Sequence, residues 1–182
     1  YLYASDNYNL DLKWEMFPQS GELLSVTAFG KLIKNPINEI MIASATNDIS
    51  YANTGDNGYV YGVEVEMRKH ILETANNGKL SVGFNGALMN TQQTLDATKV
   101  TTETNGMVNI DPTHPKSSFT GASDFVMNAD VSYNKLYTAQ RDFTATVMYN
   151  YYSDKLYAIG TGQLGNRVDK GLGTLDFVLK TK

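Results

Sequence analysis

Hydrophobic and polar side chains alternate along much of this chain. The clearest stretch is NYNLDLKWEMF, residues 7–17, where five apolar positions alternate with five polar ones: Tyr8, Leu10, Leu12, Trp14 and Met16 against Asn7, Asn9, Asp11, Lys13 and Glu15. Successive side chains of a β-strand point to opposite faces, so this period predicts a strand with one apolar and one polar face. The pattern alone leaves open which face points toward a packed interior.

The same alternation recurs in six further segments, at residues 24–32, 61–68, 80–88, 127–133, 143–151 and 175–180. In the second segment Phe29 departs from it, as an aromatic residue at a polar-face position. No stretch shows a convincing helical period, so we predict no helix. The expected fold class is all-β, an antiparallel up-and-down meander of about seven strands.

The connections between these segments differ in length in a regular way. Three are short (17–22, 70–79 and 134–142), and three are long and polar (roughly 34–58, 90–124 and 152–173). Long loops are uncommon in compact soluble domains. Short connections at one end and long ones at the other are typical of an outer-membrane barrel.

Composition narrows the function classes. The 182 residues include 12 Tyr and 15 Gly but only 4 Pro, which favours strands and turns. The net charge of −4 offers no basic patch for nucleic acid. The absence of cysteine excludes disulfides, Cys-based zinc sites and thiol catalysis. No apolar run reaches the length of a membrane-spanning helix.

Two opposite packings fit the alternation. In one, the apolar face forms the core of a soluble barrel or sandwich; in the other, it faces lipid and the polar face lines a wet lumen. The absence of charged residues from the apolar positions favours the lipid-facing packing. So does the crowding of charges on the other face, at Asp11, Lys13, Glu15, Lys31, Glu64, Glu66, Arg68, Asp130, Asp176 and Lys180. Aromatic residues near strand ends, as in interfacial girdles, point the same way: Trp14, Phe17, Tyr133, Tyr149, Tyr151 and Tyr152.

Several stretches resemble one family. SDNYNLDLKWEMFPQSGELLSVTAFGKLIKNPINEI, near the start of the chain, resembles the mid-barrel segment of TonB-dependent outer-membrane receptors, particularly those of Bacteroidetes. YGVEVEMRK (61–69) is similar to their next strand, and YNYYSDKLYAIGT (149–161) and GLGTLDFVLKTK (171–182) to later strands. Gly30 departs from the pattern, since the family often has an aromatic residue there.

This resemblance implies a transmembrane barrel of about 22 strands, plugged by an N-terminal domain. It implies import of a scarce small ligand across the outer membrane of a Gram-negative cell, powered by the TonB complex acting through the plug. Residues 1–182 would then be a partial barrel domain in the C-terminal half of the barrel, roughly a third of it. Its partners would be outer-membrane lipid and the rest of its own barrel and plug.

Candidate catalytic and metal-binding groups are few. Glu64 and Glu66 lie two apart on one strand face, as a carboxylate pair could, but a charge network on a lumen wall is the stronger interpretation. His70 and His114 have no ligand-spaced partner, although Asp111 in DPTHP lies near His114. The glycine run GTGQLG lacks the Lys-Ser/Thr of a phosphate-binding loop. We expect no enzyme activity, no cofactor and no metal.

Four tyrosines are the candidate ligand-binding residues. Tyr51, Tyr59, Tyr152 and Tyr157 lie in or beside the long connections, where an aromatic face could stack on a ligand ring. Loop packing is the alternative explanation for them.

Two rival functions stay open at this stage. One is a small ligand-binding barrel, soluble or in the outer membrane, with no transport role. It would need an even strand number and a closing strand. The other is a barrel-based hydrolase, which would need a serine, a histidine and an acid grouped on the wall.

Overall fold

A computed structural model describes residues 2–42, 44–46, 48–110, 114–162 and 164–182. It contains twelve strands and one short helix. In chain order they are β1 (Asp6–Met16), β2 (Leu23–Lys34), β3 (Ile37–Met41), β4 (Ile49–Asn53), β5 (Asn57–Thr74), β6 (Gly78–Thr94), α1 (Ala97–Glu103), β7 (Lys116–Ser117), β8 (Phe125–Thr138), β9 (Arg141–Tyr152), β10 (Lys155–Ala158), β11 (Arg167–Asp169) and β12 (Leu172–Thr181).

Seven long strands form one antiparallel sheet in the order β1-β2-β5-β6-β8-β9-β12, with β7 added beside β6. The predicted all-β meander is confirmed. Two of the connections are shorter than predicted. One is shortened because β5 extends to Thr74 and β6 begins at Gly78, and the other because β8 extends to Thr138 and β9 begins at Arg141. Asn77 closes the first of these turns with a φ of 57°, a left-handed conformation that asparagine tolerates.

The register sorts the side chains of this sheet into two faces. One row of paired positions reads Trp14, Val26, Val65, Gly86 and Met127, and the adjacent row on the other face reads Glu15, Ser25, Glu66, Asn85 and Asn128. We call these sides the apolar face and the polar face. They follow the alternation predicted from the sequence.

Phe29 does point to the polar face, and the register explains it. Phe29 pairs with Gly62, and a β-carbon on Gly62 would meet the Phe29 ring at 2.7 Å. The ring therefore occupies the space that the glycine leaves, an arrangement that shields an otherwise bare stretch of strand.

The apolar face is not the core of the described chain. Leu12 is 76% exposed and Val147 is 43% exposed, and each of the seven long strands has at least one exposed large apolar side chain on that face. The buried hydrophobic cluster lies elsewhere and contains Ile40, Ala52, Val100, Val108, Ile110, Leu156 and Ile159. All seven belong to the long connections.

Those connections form a structured layer, which the sequence did not predict. The loop layer, as we call residues 35–56, 95–124 and 153–171 where described, contains the β3–β4 and β10–β11 hairpins, β7 and α1. Asp96 caps α1 by accepting a hydrogen bond from the Lys99 backbone N–H at 2.9 Å. A parallel bridge between Ile40 and Ile159 joins the two hairpins. The long connections therefore contain short strands and a helix that the sequence pattern did not identify.

Buried amides attach the loop layer to the sheet. Asn38 and Gln93 exchange side-chain hydrogen bonds of 2.7 and 3.0 Å. Asn38 also donates to the Thr54 hydroxyl, which donates in turn to Gln93 Oε1. Gln93 also donates to the Ser118 carbonyl at 2.8 Å. Gln93 belongs to the polar face of β6, so the layer folds over the polar side of the sheet and leaves the apolar side bare.

The sheet is open. Among the described residues, β1 and β12 each pair along one edge only, and both strands are exposed over their whole length. In the same part of the chain, no helix is both long and apolar enough to cross a membrane.

Replacing Gln93 by Ala tests the attachment of the loop layer. The substitution leaves buried polar groups of Asn38 and Thr54 without their partner, at a cost of about 1–3 kcal/mol. We expect faster amide hydrogen exchange at Val100 and Ile159 in the layer, with little change at Val131 in the sheet. Gln92→Ala is the matched control, since Gln92 is exposed. Equal protection in both variants would show that the cluster does not hold the layer.

Candidate functional site

Side chains of the polar face bond to one another across and along the strands. Asn85 donates to Glu64 Oε1 at 3.0 Å, and Arg68 Nη2 lies 2.6 Å from Glu66 Oε1. The hydroxyls of Ser132 and Thr146, on neighbouring strands, are 2.9 Å apart. Each of the two glutamates thus has its own donor, and the arrangement is a polar network along the sheet.

Near the short connections, the polar face carries a cavity of about 380 Å³. His70 lines it, with its Nδ1 3.0 Å from Ser81 Oγ, and its backbone N–H donates to the buried Glu22 carboxylate at 3.0 Å. These contacts hold the imidazole in place beside the β1–β2 turn. They make His70 part of the wall at this end of the sheet.

The second histidine is at the opposite end. His114 belongs to the connection between β6 and β8, within the loop layer, and so lies far along the strands from His70. Asp111, its sequence neighbour in DPTHP, lies outside the described residues. No group of three or more potential metal-binding side chains occurs in the part of the chain that the structure describes.

The structure separates the four candidate tyrosines. Tyr59 is not in a loop, because β5 begins at Asn57, and its register with Leu32 places it on the apolar face. Tyr152 is at the end of β9, with the Lys155 ammonium 5.1 Å from the centre of its ring. Only Tyr51 and Tyr157 belong to strands of the loop layer.

Tyr51 and Tyr157 lie close enough to influence each other, and each has a charged neighbour. The Tyr51 hydroxyl donates to Glu39 Oε1 at 3.2 Å, and the Arg167 guanidinium lies 5.1 Å from the centre of the Tyr157 ring. The hydrogen bond to Glu39 raises the pKa of Tyr51, and the negative charge of Glu39, burial and the nearby Tyr157 act in the same direction. The result is a surface with two aromatic rings, one carboxylate and one guanidinium.

Sequence reasoning missed Glu39 and Arg167. Glu39 contacts Tyr51 because the two pair directly in the β3–β4 hairpin, and Arg167 pairs with Ala158 across β10–β11. Both hairpins were expected to be loops, so no register was available to bring these charges to the tyrosines. The turn residues between Met41 and Ile49 were the one signal for the first hairpin.

Comparison with protein-family models, with curated proteins and with solved structures finds no match to this chain.

Glu39→Gln is expected to lower the pKa of Tyr51 toward its usual value, because it removes the negative charge that holds the phenol protonated. In the unchanged protein, the Tyr51–Glu39 hydrogen bond is present below the raised pKa and lost as the pH rises through it. The phenolate absorbance of the protein minus that of Tyr51→Phe isolates this titration. Glu73→Gln, an exposed carboxylate beside a short turn, is the control and should leave it unchanged. An identical Tyr51 titration in Glu39→Gln would contradict the assignment.

Proposed function

We propose that this chain is a segment of the wall of a TonB-dependent outer-membrane transporter. The proposal unites the motif resemblance of its strands with the single observation that carries most weight, the exposed apolar face of an open antiparallel sheet. A soluble protein rarely exposes such a large contiguous apolar surface. Hydrocarbon is the environment that suits it.

The dimensions of the apolar face support this proposal. Between Tyr8 and Met16 on β1, Tyr59 and Met67 on β5, and Phe143 and Tyr151 on β9, the apolar-face positions carry no charge. Each stretch is about nine residues long, the length that a tilted strand needs to cross a bilayer. We call this surface the apolar band.

The ends of the apolar band are polar in the way that an interface requires. At the short-connection end, the register places Lys69 opposite Val82 and Lys135 opposite Phe143, on the apolar face at the edge of the band. At the other end, Asn90 and Gln92 lie opposite Tyr61 and Tyr59. Lysine stems can cover apolar surface while the ammonium reaches the headgroups, and tyrosines favour the same depth.

The polar face and the loop layer take the remaining roles in this proposal. The polar face lines the lumen and meets the plug, and the loop layer folds over its outer mouth, where an incoming ligand first makes contact. The cross-strand hydrogen bonds of Glu64, Asn85, Ser132 and Thr146 suit a hydrated wall. In this role the segment performs no covalent chemistry, and the energy for import comes from the TonB complex acting on the plug.

The alternative of a small, complete ligand-binding barrel is less well supported. Such a barrel closes by pairing its first and last strands, and known single-chain outer-membrane barrels have an even strand number. Here the seven-stranded path leaves β1 and β12 unpaired with each other within the described residues. A soluble barrel would also bury the apolar face that this sheet exposes.

Val147→Arg tests the orientation of the sheet. Val147 lies at the middle of the apolar band on β9, where an arginine facing the bilayer midplane costs about 2–4 kcal/mol. Met148→Arg is the control on the polar face, where residue 148 pairs with Asp130 and Asp176. We expect Val147→Arg to reduce the folded, vesicle-inserted fraction in phosphatidylcholine, and Met148→Arg to leave it nearly unchanged.

Two results would contradict the proposal. The first is a protein that remains monomeric and folded in plain buffer and does not associate with vesicles. The second is insertion that tolerates Val147→Arg but not Met148→Arg, since that would place the polar face against lipid.

A further inference from the structure

The loop layer contains an apolar crevice of about 360 Å³ between β4 and the segment that follows α1. Its floor is made by Ile40, Ala52 and Val108, all buried. Its rim carries the exposed side chain of Met107, at 70%. A concave site with an apolar floor and a few polar groups at its edge is the usual form of a small-molecule site.

A single charged side chain lines this crevice among the described residues. Glu103 lines it, is half-buried, and has no ion pair among the described residues. No lysine or arginine lines the crevice in the part of the chain that the structure describes.

Glu103 has no cationic partner in the last turn of its helix. It is the last residue of α1, where the backbone carbonyls give the helix end a partial negative charge, and the last turn has no basic residue. Lys99, one helical turn earlier, lies 2.8 Å from Asp56 instead. The Glu103 carboxylate is therefore left for a ligand cation.

We propose that this crevice binds a small ligand with an aromatic or aliphatic body and a single cationic group, such as an aromatic amine. The body packs on Ile40, Ala52 and Val108, and the ammonium lies beside the Glu103 carboxylate. This site lies within the loop layer and its buried cluster. The proposal therefore does not depend on whether the apolar face of the sheet contacts lipid.

The test compares three probes of similar size, 2-phenylethylammonium, 2-phenylethanol and phenylacetate, on the folded protein in plain buffer or phosphatidylcholine nanodiscs. The readout is the methyl resonance of Met107 in protein labelled at its methionines, assigned by its loss in Met107→Leu. We expect the cation to shift this resonance with a Kd roughly tenfold or more below that of phenylacetate, with the alcohol between them. Because the vesicle-insertion experiment is separate, either proposal can fail without the other.

Variants then assign the selectivity. Glu103→Gln is expected to reduce the preference for the cation over the alcohol to roughly threefold or less. Glu73→Gln, which removes one negative charge at the far end of the sheet, is the matched control and should leave all three affinities unchanged.

The proposal is overturned if phenylacetate binds as tightly as the ammonium, or if the Met107 resonance does not move while others do. It is also overturned if Glu103→Gln and Glu73→Gln alter the preference equally, because the selectivity would then reflect overall charge.

Discussion

Strict two-residue alternation in hydrogen-bonded strands is the constraint on which this structure depends. Because the strands are in register, the alternation of each one adds to that of its neighbours, and whole rows become apolar or polar together. A slip of one residue between any two strands would mix the faces. The hydrogen bonds of the polar face, such as Asn85 to Glu64, depend on the same register.

The loop layer is stabilised in a different way from the sheet. It has its own buried cluster around Ile40, Val100 and Ile159, and the Asn38–Gln93 amide cluster joins it to β6. A buried amide pair stabilises a structure only when its donors and acceptors are satisfied, and here two separate connections supply the partners, Thr54 from one and Ser118 and Thr120 from the other. The layer can therefore hold a defined shape at one end of a sheet whose larger apolar surface it does not cover.

Much of the sheet could be predicted from the sequence, and little of the loop layer. The strands of the sheet are long enough for a two-residue period to be recognised, and charges that avoid one face identify the sides. β3 and β4 have five residues each and α1 has seven, too few for any period to stand out. Tyr59, expected beside a long connection, lies within β5, because this strand begins two residues earlier in a polar stretch that resembles a loop. The Tyr51–Glu39 contact depends on the register of the β3–β4 hairpin, which no local sequence pattern predicts.

Strand direction limits how this open sheet could be closed into a cylinder. β1 and β12 are the first and seventh members of an antiparallel series, so both run from the loop layer toward the short turns. If these two edges met, in one molecule or in a ring of identical copies rotated about the strand axis, the seam would join parallel neighbours. An all-antiparallel cylinder built on this sheet must therefore add an odd number of strands, whatever their sequence.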